Sequence, residues 1–167
     1  ITKRGGQDTI SFETKVGVTS GNNFKSDAMA YEASQSILFN QGAWQGALGA
    51  SYTTRGEIQD SHGNRVGPEV AQTDRQDTDT LDLNGRLTWN ITDEQSLSFG
   101  AQYFKDEQDS DYGPDYGSQS GYNLTNLLFG TAPSLKGVKG LELSDQPQTE
   151  RWGVNTQYQN QDILGHA

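Results

Sequence analysis

The chain has no cysteine, two histidines and a single methionine among 167 residues. Disulfide frameworks, thiol catalysis and cysteine-type zinc sites are therefore excluded. Basic residues are scarce: 12 Lys and Arg stand against 22 Asp and Glu, a net charge of −10. That balance argues against nucleic acid as a partner, because phosphate backbones are met by Lys and Arg patches. No apolar run approaches the roughly 18 residues of a membrane-crossing helix. Hydrophobic residues make up only 31% of the chain, yet aromatics reach 10%, more than disordered chains carry. The length fits one domain, and the composition leaves two readings: a disordered acidic chain, or a β structure with one wet and one apolar face.

Period two decides between them. Leu81, Leu83, Gly85, Leu87, Trp89 and Ile91 fall on one face, and Asp82, Asn84, Arg86, Thr88 and Asn90 on the other. Successive strand side chains point to opposite faces, so this segment is a strand with one apolar wall. The same alternation is carried by Ile10 to Val18, Met29 to Phe39, Trp44 to Tyr52, Leu97 to Tyr103 and Trp152 to Tyr158. Six such segments predict an all-β, antiparallel meander.

The connections alternate in length. Asn40-Gln41-Gly42 and Thr92-Asp93-Glu94 are tight links, whereas residues 19–27, 56–73 and 107–148 form long polar ones. A soluble sandwich gives no reason for this asymmetry, but membrane β-barrels have short periplasmic turns and longer extracellular loops. On that reading Trp44 and Trp89 lie near the periplasmic rim, and Tyr52, Tyr103 and Trp152 near the outer one, as two aromatic girdles. Six strands are fewer than the about eight of the smallest common barrels. The abrupt start at Ile1 and the turn begun at residues 161–167 fit the expectation that this is a piece of a larger barrel.

Catalytic signals are weak. His62 sits in a Gly/Asn turn and His166 at the chain end, and no serine stands in a Gly-x-Ser-x-Gly elbow. Asp109-x-Asp111 has the spacing of a calcium loop but lacks its glycine and bidentate glutamate. The chain is read as a non-enzyme without protein metal ligands.

Ile1-Thr2-Lys3-Arg4-Gly5 resembles the junction where the plug of a TonB-dependent receptor ends and its barrel begins. Ala71-Gln72-Thr73-Asp74 with Leu81-Asp82-Leu83-Asn84-Gly85 is similar to the second loop and fourth strand of ferric siderophore receptors. Ala101-Gln102-Tyr103-Phe104 and Gln157-Tyr158-Gln159-Asn160-Gln161-Asp162 carry the same likeness, nearest to the ferric aerobactin or citrate-hydroxamate type. The resemblance implies residues 1–9 as the end of the plug and its junction, and residues 10–167 as the first six strands of a 22-stranded plugged barrel. It implies an outer-membrane transporter that binds a ferric siderophore outside and imports it with energy supplied by TonB. The partners implied are the siderophore, the TonB complex through a segment absent here, and outer-membrane lipid and lipopolysaccharide. No protein-bound cofactor is implied, since the siderophore's own oxygens hold the iron.

Citrate-hydroxamate chelates are anionic, and guanidinium forks grip carboxylates at two points. Arg55, Arg75 and Arg151, near the outer ends of the strands, and Arg65, in the loop between the third and fourth, are therefore the candidate ligand contacts. Tyr112, Tyr116 and Tyr122 join them, because phenol rings offer flat faces and a hydroxyl. Arg86, deeper on the wet face, is expected to pair with carboxylates of the lumen or plug. The alternatives are a receptor of the same fold for another cargo such as cobalamin, a soluble acidic β-sandwich binding module, and a porin.

Overall fold

The computed structural model describes residues 9–21, 26–60, 62–67, 76–115, 123–130, 136–142 and 144–161. The strands are β1 (Thr9–Ser20), β2 (Met29–Gln41), β3 (Trp44–Arg55), β4 (Thr78–Asn90), β5 (Gln95–Gln108), β6 (Tyr112–Pro114), β7 (Gly137–Lys139) and β8 (Gln148–Asn160). A short helix, α1 (Leu124–Leu128), lies between β6 and β7, and a 3-10 turn (Ser26–Ala28) precedes β2. Six strands form one antiparallel sheet in the order β1-β2-β3-β4-β5-β8, and β6 pairs with β7 separately. Each predicted strand is present. The sheet is an open meander among the described residues, and β1 and β8 are its edges.

The register carries the two walls across the sheet. Across the sheet, Phe12, Ile37, Leu48, Gly85, Ala101 and Val154 stand in one row, and Glu13, Ser36, Gly49, Asn84, Gln102 and Gly153 in the next, on the opposite face. A slip of one residue would exchange the faces of a whole strand, so the alternation fixes the pairing. The tight turns do likewise. Gly42 takes φ +53° between β2 and β3, a conformation that costs glycine little. Between β4 and β5 the Thr92 hydroxyl accepts the Glu94 and Gln95 amides at 3.3 and 3.1 Å, a local turn motif.

Among the described residues the apolar wall is uncovered. Phe12 is 69% exposed, Val16 82% and Trp152 77%, while Ala28 is the one buried hydrophobic residue. A β-sandwich would bury this face under a second sheet, and none lies against it among the described residues. Trp44 and Trp89 stack with ring centroids 5.6 Å apart at the short-turn end, in the row that also holds Leu97 and Tyr158. Tyr103 and Trp152 pair across β5 and β8 nearer the long-connection end.

Two expectations about the long connections need correction. The ladder runs past the apolar rows: Thr78, Asp79 and Thr80 pair with Gln108, Glu107 and Asp106, so β4 begins before Leu81 and β5 ends after Glu107. Backbone pairing does not depend on side-chain polarity, and period two cannot register an extension made of polar residues. The segment expected as loop over 107–148 also holds β6, α1 and β7. Within 56–73, Gln59 bridges to Arg65, and Val66 bridges to Lys136 in the last long connection.

Candidate functional site

The buried side chains gather mainly where the long connections leave the sheet, and they are polar. Gln76 is 1% exposed, Ser110 2% and Thr78 3%. Gln76 accepts the Ile58 amide at 3.2 Å and donates to the Val66 carbonyl at 2.8 Å, and its own carbonyl accepts Gln108 Nε2 at 2.8 Å. The Gln76 side chain thus ties two stretches of the β3–β4 connection together, and its backbone carbonyl ties that connection to the end of β5. Such burial is tolerable because every polar atom named here has a partner. Asp77 holds φ +51°, rare for a residue with a Cβ but within reach of Asp. Its amide donates to the Gly56 carbonyl at 3.2 Å and its carbonyl accepts the Asp109 amide at 2.9 Å.

Arg65 stands at the centre of this cluster. Its guanidinium donates to Glu57 Oε2 at 3.3 Å, to Asp77 Oδ2, and to the Ser110 hydroxyl at 3.1 Å. Ser110 Oγ donates in turn to Asp77, and Gln146 closes the far side by accepting the Ser110 amide at 2.6 Å and donating to its carbonyl at 3.0 Å. The Arg65 carbon Cζ lies 3.8 Å from the centroid of the Tyr112 ring. Two carboxylates, a hydroxyl and an aromatic face thus hold one cation that is only 13% exposed. The arrangement clamps the β3–β4 connection onto the β5–β8 connection.

The structure places the expected contacts unequally. Arg65 and Tyr112 are brought together, with the guanidinium turned into the cluster. Arg55 ends β3 on the polar wall between Ala30 and Thr78, exposed and without an ion pair to a described residue. Arg151 opens the polar wall of β8, exposed, with its Cζ 4.8 Å from the Phe104 ring centroid. Arg75, Tyr116 and Tyr122 lie outside the described residues, as do the junction residues Ile1 to Gly5. Arg86 donates to Ser98 Oγ at 3.5 Å and Gln157 Oε1 at 3.4 Å among the described residues.

Charge is distributed unevenly between wall and connections. On the polar wall Lys15, Arg55, Arg86 and Arg151 are matched in number by Glu13, Glu32, Asp82 and Asp106. The acidic excess of the chain therefore sits off that wall, much of it in the connections. One such acid, Asp60, folds its own turn: its carboxylate accepts the amides of Asn64 at 2.8 Å and His62 at 2.9 Å. The bond from Asn64 does most to hold this carboxyl below the ordinary carboxylate range. Glu57, Gln76, Asp77, Ser110 and Gln146 carry no motif that singles them out in the sequence; only the fold shows their convergence.

The chain is 29% identical over 166 residues to the rhizobactin receptor of Rhizobium meliloti (strain 1021), covering 99% of this chain and 21% of that protein. It is 30% identical to the ferric aerobactin receptor of Klebsiella pneumoniae and 28% to that of Escherichia coli, each over 165 residues with the same coverages. The likeness to siderophore receptors runs the length of the chain. It bears out the resemblance read from the sequence, and all three relatives are receptors by name, not enzymes. The chain spans about a fifth of the length of these receptors, 21% in each case. No protein-family model matches the chain, and no solved structure matches it.

Proposed function

We propose that this chain forms part of the wall and outer mouth of a TonB-dependent outer-membrane receptor that binds a ferric siderophore and imports it with TonB-supplied energy. The observation that carries this reading is the match, over the whole of this chain, to rhizobactin and ferric aerobactin receptors on a sheet most of whose large apolar side chains face one way. Such a sheet suits lipid on its apolar wall and a plug or water on its polar wall. The apolar rows from Leu81 to Trp89 span nine residues, about 26 Å along the strand, which at a barrel tilt of about 40° rises about 20 Å, most of the roughly 25 Å apolar band of membrane barrels.

The favoured cargo is a citrate-hydroxamate chelate, with lipopolysaccharide and outer-membrane lipid around the barrel. Arg55 and Arg151 offer exposed guanidinium groups to it, and Arg65 with Tyr112 holds the loops that frame them. Arg75, Tyr116 and Tyr122 complete the proposed contacts. The test is uptake of radioactive iron from ferric aerobactin by cells that do or do not carry the full-length receptor, with and without a working TonB. Receptor- and TonB-dependent uptake supports the reading. A protein recovered without detergent from the soluble fraction, or uptake indifferent to either component, overturns it.

A further inference from the structure

Phe104 is the only aromatic residue on the polar wall among the described residues of the six-stranded sheet, whose other aromatics stand on the apolar face. A lone phenyl ring there exposes apolar surface to whatever fills the polar side, with no hydrophobic neighbour in its row to hide it. Its direct partner across β5 and β8 is Arg151, and on its other flank it pairs with Asp82. The Arg151 guanidinium lies over the ring at 4.8 Å. The adjacent pair, Tyr103 and Trp152, stands on the opposite face at the same height, so this shelf lies near the long-connection end and not deep in the wall.

Of the other arginines described, Arg55 is exposed at the end of β3 with no ring contact to a described residue, and two are engaged by polar partners. Arg65 is enclosed by Glu57 and Asp77, and Arg86 donates to Ser98 and Gln157. Lys15 pairs with Glu13 at 3.1 Å. Arg151 has a ring beneath it and no ion pair to a described residue. A guanidinium resting on a ring gives up its face and keeps the donors around its edge. Rotamer freedom is already reduced in that state, so less is lost when an anion arrives.

We infer that Phe104 is a positioning residue: it holds Arg151 as a pre-oriented fork for a free carboxylate of the ferric chelate, and so selects anionic, carboxylate-bearing chelates over uncharged ones. This rests on the siderophore reading above. A carboxylate from another part of the receptor is the rival occupant, and the experiment separates the two.

The experiment measures binding to the purified full-length receptor in detergent by tryptophan fluorescence, with two probes: ferric aerobactin, and an uncharged ferric trihydroxamate. Phe104→Leu and Arg151→Gln are expected to weaken ferric aerobactin by about fivefold or more and to leave the uncharged chelate unchanged. Phe104→Tyr restores the ring and is expected to restore selectivity. Parallel loss for both chelates would reduce Phe104 to a structural part, unchanged aerobactin binding in Phe104→Leu would remove its positioning role, and unchanged aerobactin binding in Arg151→Gln would assign Arg151 to another carboxylate of the receptor; any of the three overturns the inference. A wild-type receptor that binds neither chelate overturns the siderophore reading itself, before any variant is compared.

Discussion

Arg65 lies face-on to Tyr112, with its guanidinium carbon 3.8 Å from the ring centroid, although the two belong to different long connections. Glu57, Asp77 and Ser110 hold the same cation from the sides. Arg65→Ala would leave two carboxylates facing each other with nothing between. Breaking a fully buried ion pair costs about 3–5 kcal/mol. The partners here keep 11–19% exposure, so roughly 2–3 kcal/mol is expected. Limited proteolysis should cut residues 56–67 and 109–115 some tens of times faster in Arg65→Ala, with cleavage of the sheet unchanged. Equal rates in variant and parent would show that the clamp does not hold the connections together.

The two walls should differ in what they tolerate. Leu83 and Leu87 stand in the middle of the apolar rows, and Asn84 lies between them on the polar face. An arginine at Leu83 or Leu87 is expected to cost roughly 2–4 kcal/mol near the midplane of a bilayer, and Asn84→Arg much less. The readout is the fraction of full-length receptor that assembles into heat-resistant barrels in outer membranes. Similar assembly for all three variants would argue against lipid on the apolar wall.

Gly113 and Gly42 predict opposite kinds of damage. A Cβ on Gly113 would fall 1.4 Å from the Leu141 carbonyl oxygen, which is backbone and cannot rotate aside. Gly113→Ala should displace β6 from residue 141 and speed proteolysis of residues 109–115. At Gly42 the space is open but φ is +53°, so Gly42→Ala should cost about 1 kcal/mol through backbone strain alone. Thermal unfolding separates the two, because the second variant acts on the sheet and the first on the connection.

Asp60 gives the β3–β4 connection a pH dependence of known sign. Its folded carboxyl is held below the ordinary range by the amides of Asn64 and His62. The turn's support from this group is therefore complete above the ordinary carboxylate range and fades as pH falls through the folded value. Exchange of the Asn64 amide should be slow at neutral pH and accelerate, relative to its intrinsic rate, in acid. Asp60→Asn should flatten that dependence, and an unchanged profile in the variant would assign it to another group.

Period two made the sheet readable. Residues 81–91 show one apolar and one polar face without reference to any partner, and the short links at Gly42 and Thr92 follow from local turn chemistry. The extensions at Thr78–Thr80 and Gln148–Thr149 were hidden because their residues are polar on both faces, and only the ladder holds them in the strand. The clamp was hidden for a different reason. Arg65 was picked out as a cation for an external anion, but its partner Ser110 lies 45 residues away and carries no signature. Arg151 was legible as an exposed cation on the polar face, whereas Phe104 beneath it belonged to a motif whose resemblance said nothing of a ring on the wet wall.

The register between β5 and β8 has a consequence for how such a protein can diversify. Residues 109–147 leave the sheet after Gln108 and return at Gln148, and the two strands pair as closely as any hairpin neighbours. The clamp joins that excursion to the β3–β4 connection, through Arg65, Asp77 and Ser110. Insertions, deletions and exchanges in the excursion can therefore accumulate without disturbing strand pairing, since lengthening a loop adds only slowly to its closure entropy. Sheet and connections form separable modules, the first held by strand pairing and the second by side-chain contacts of its own.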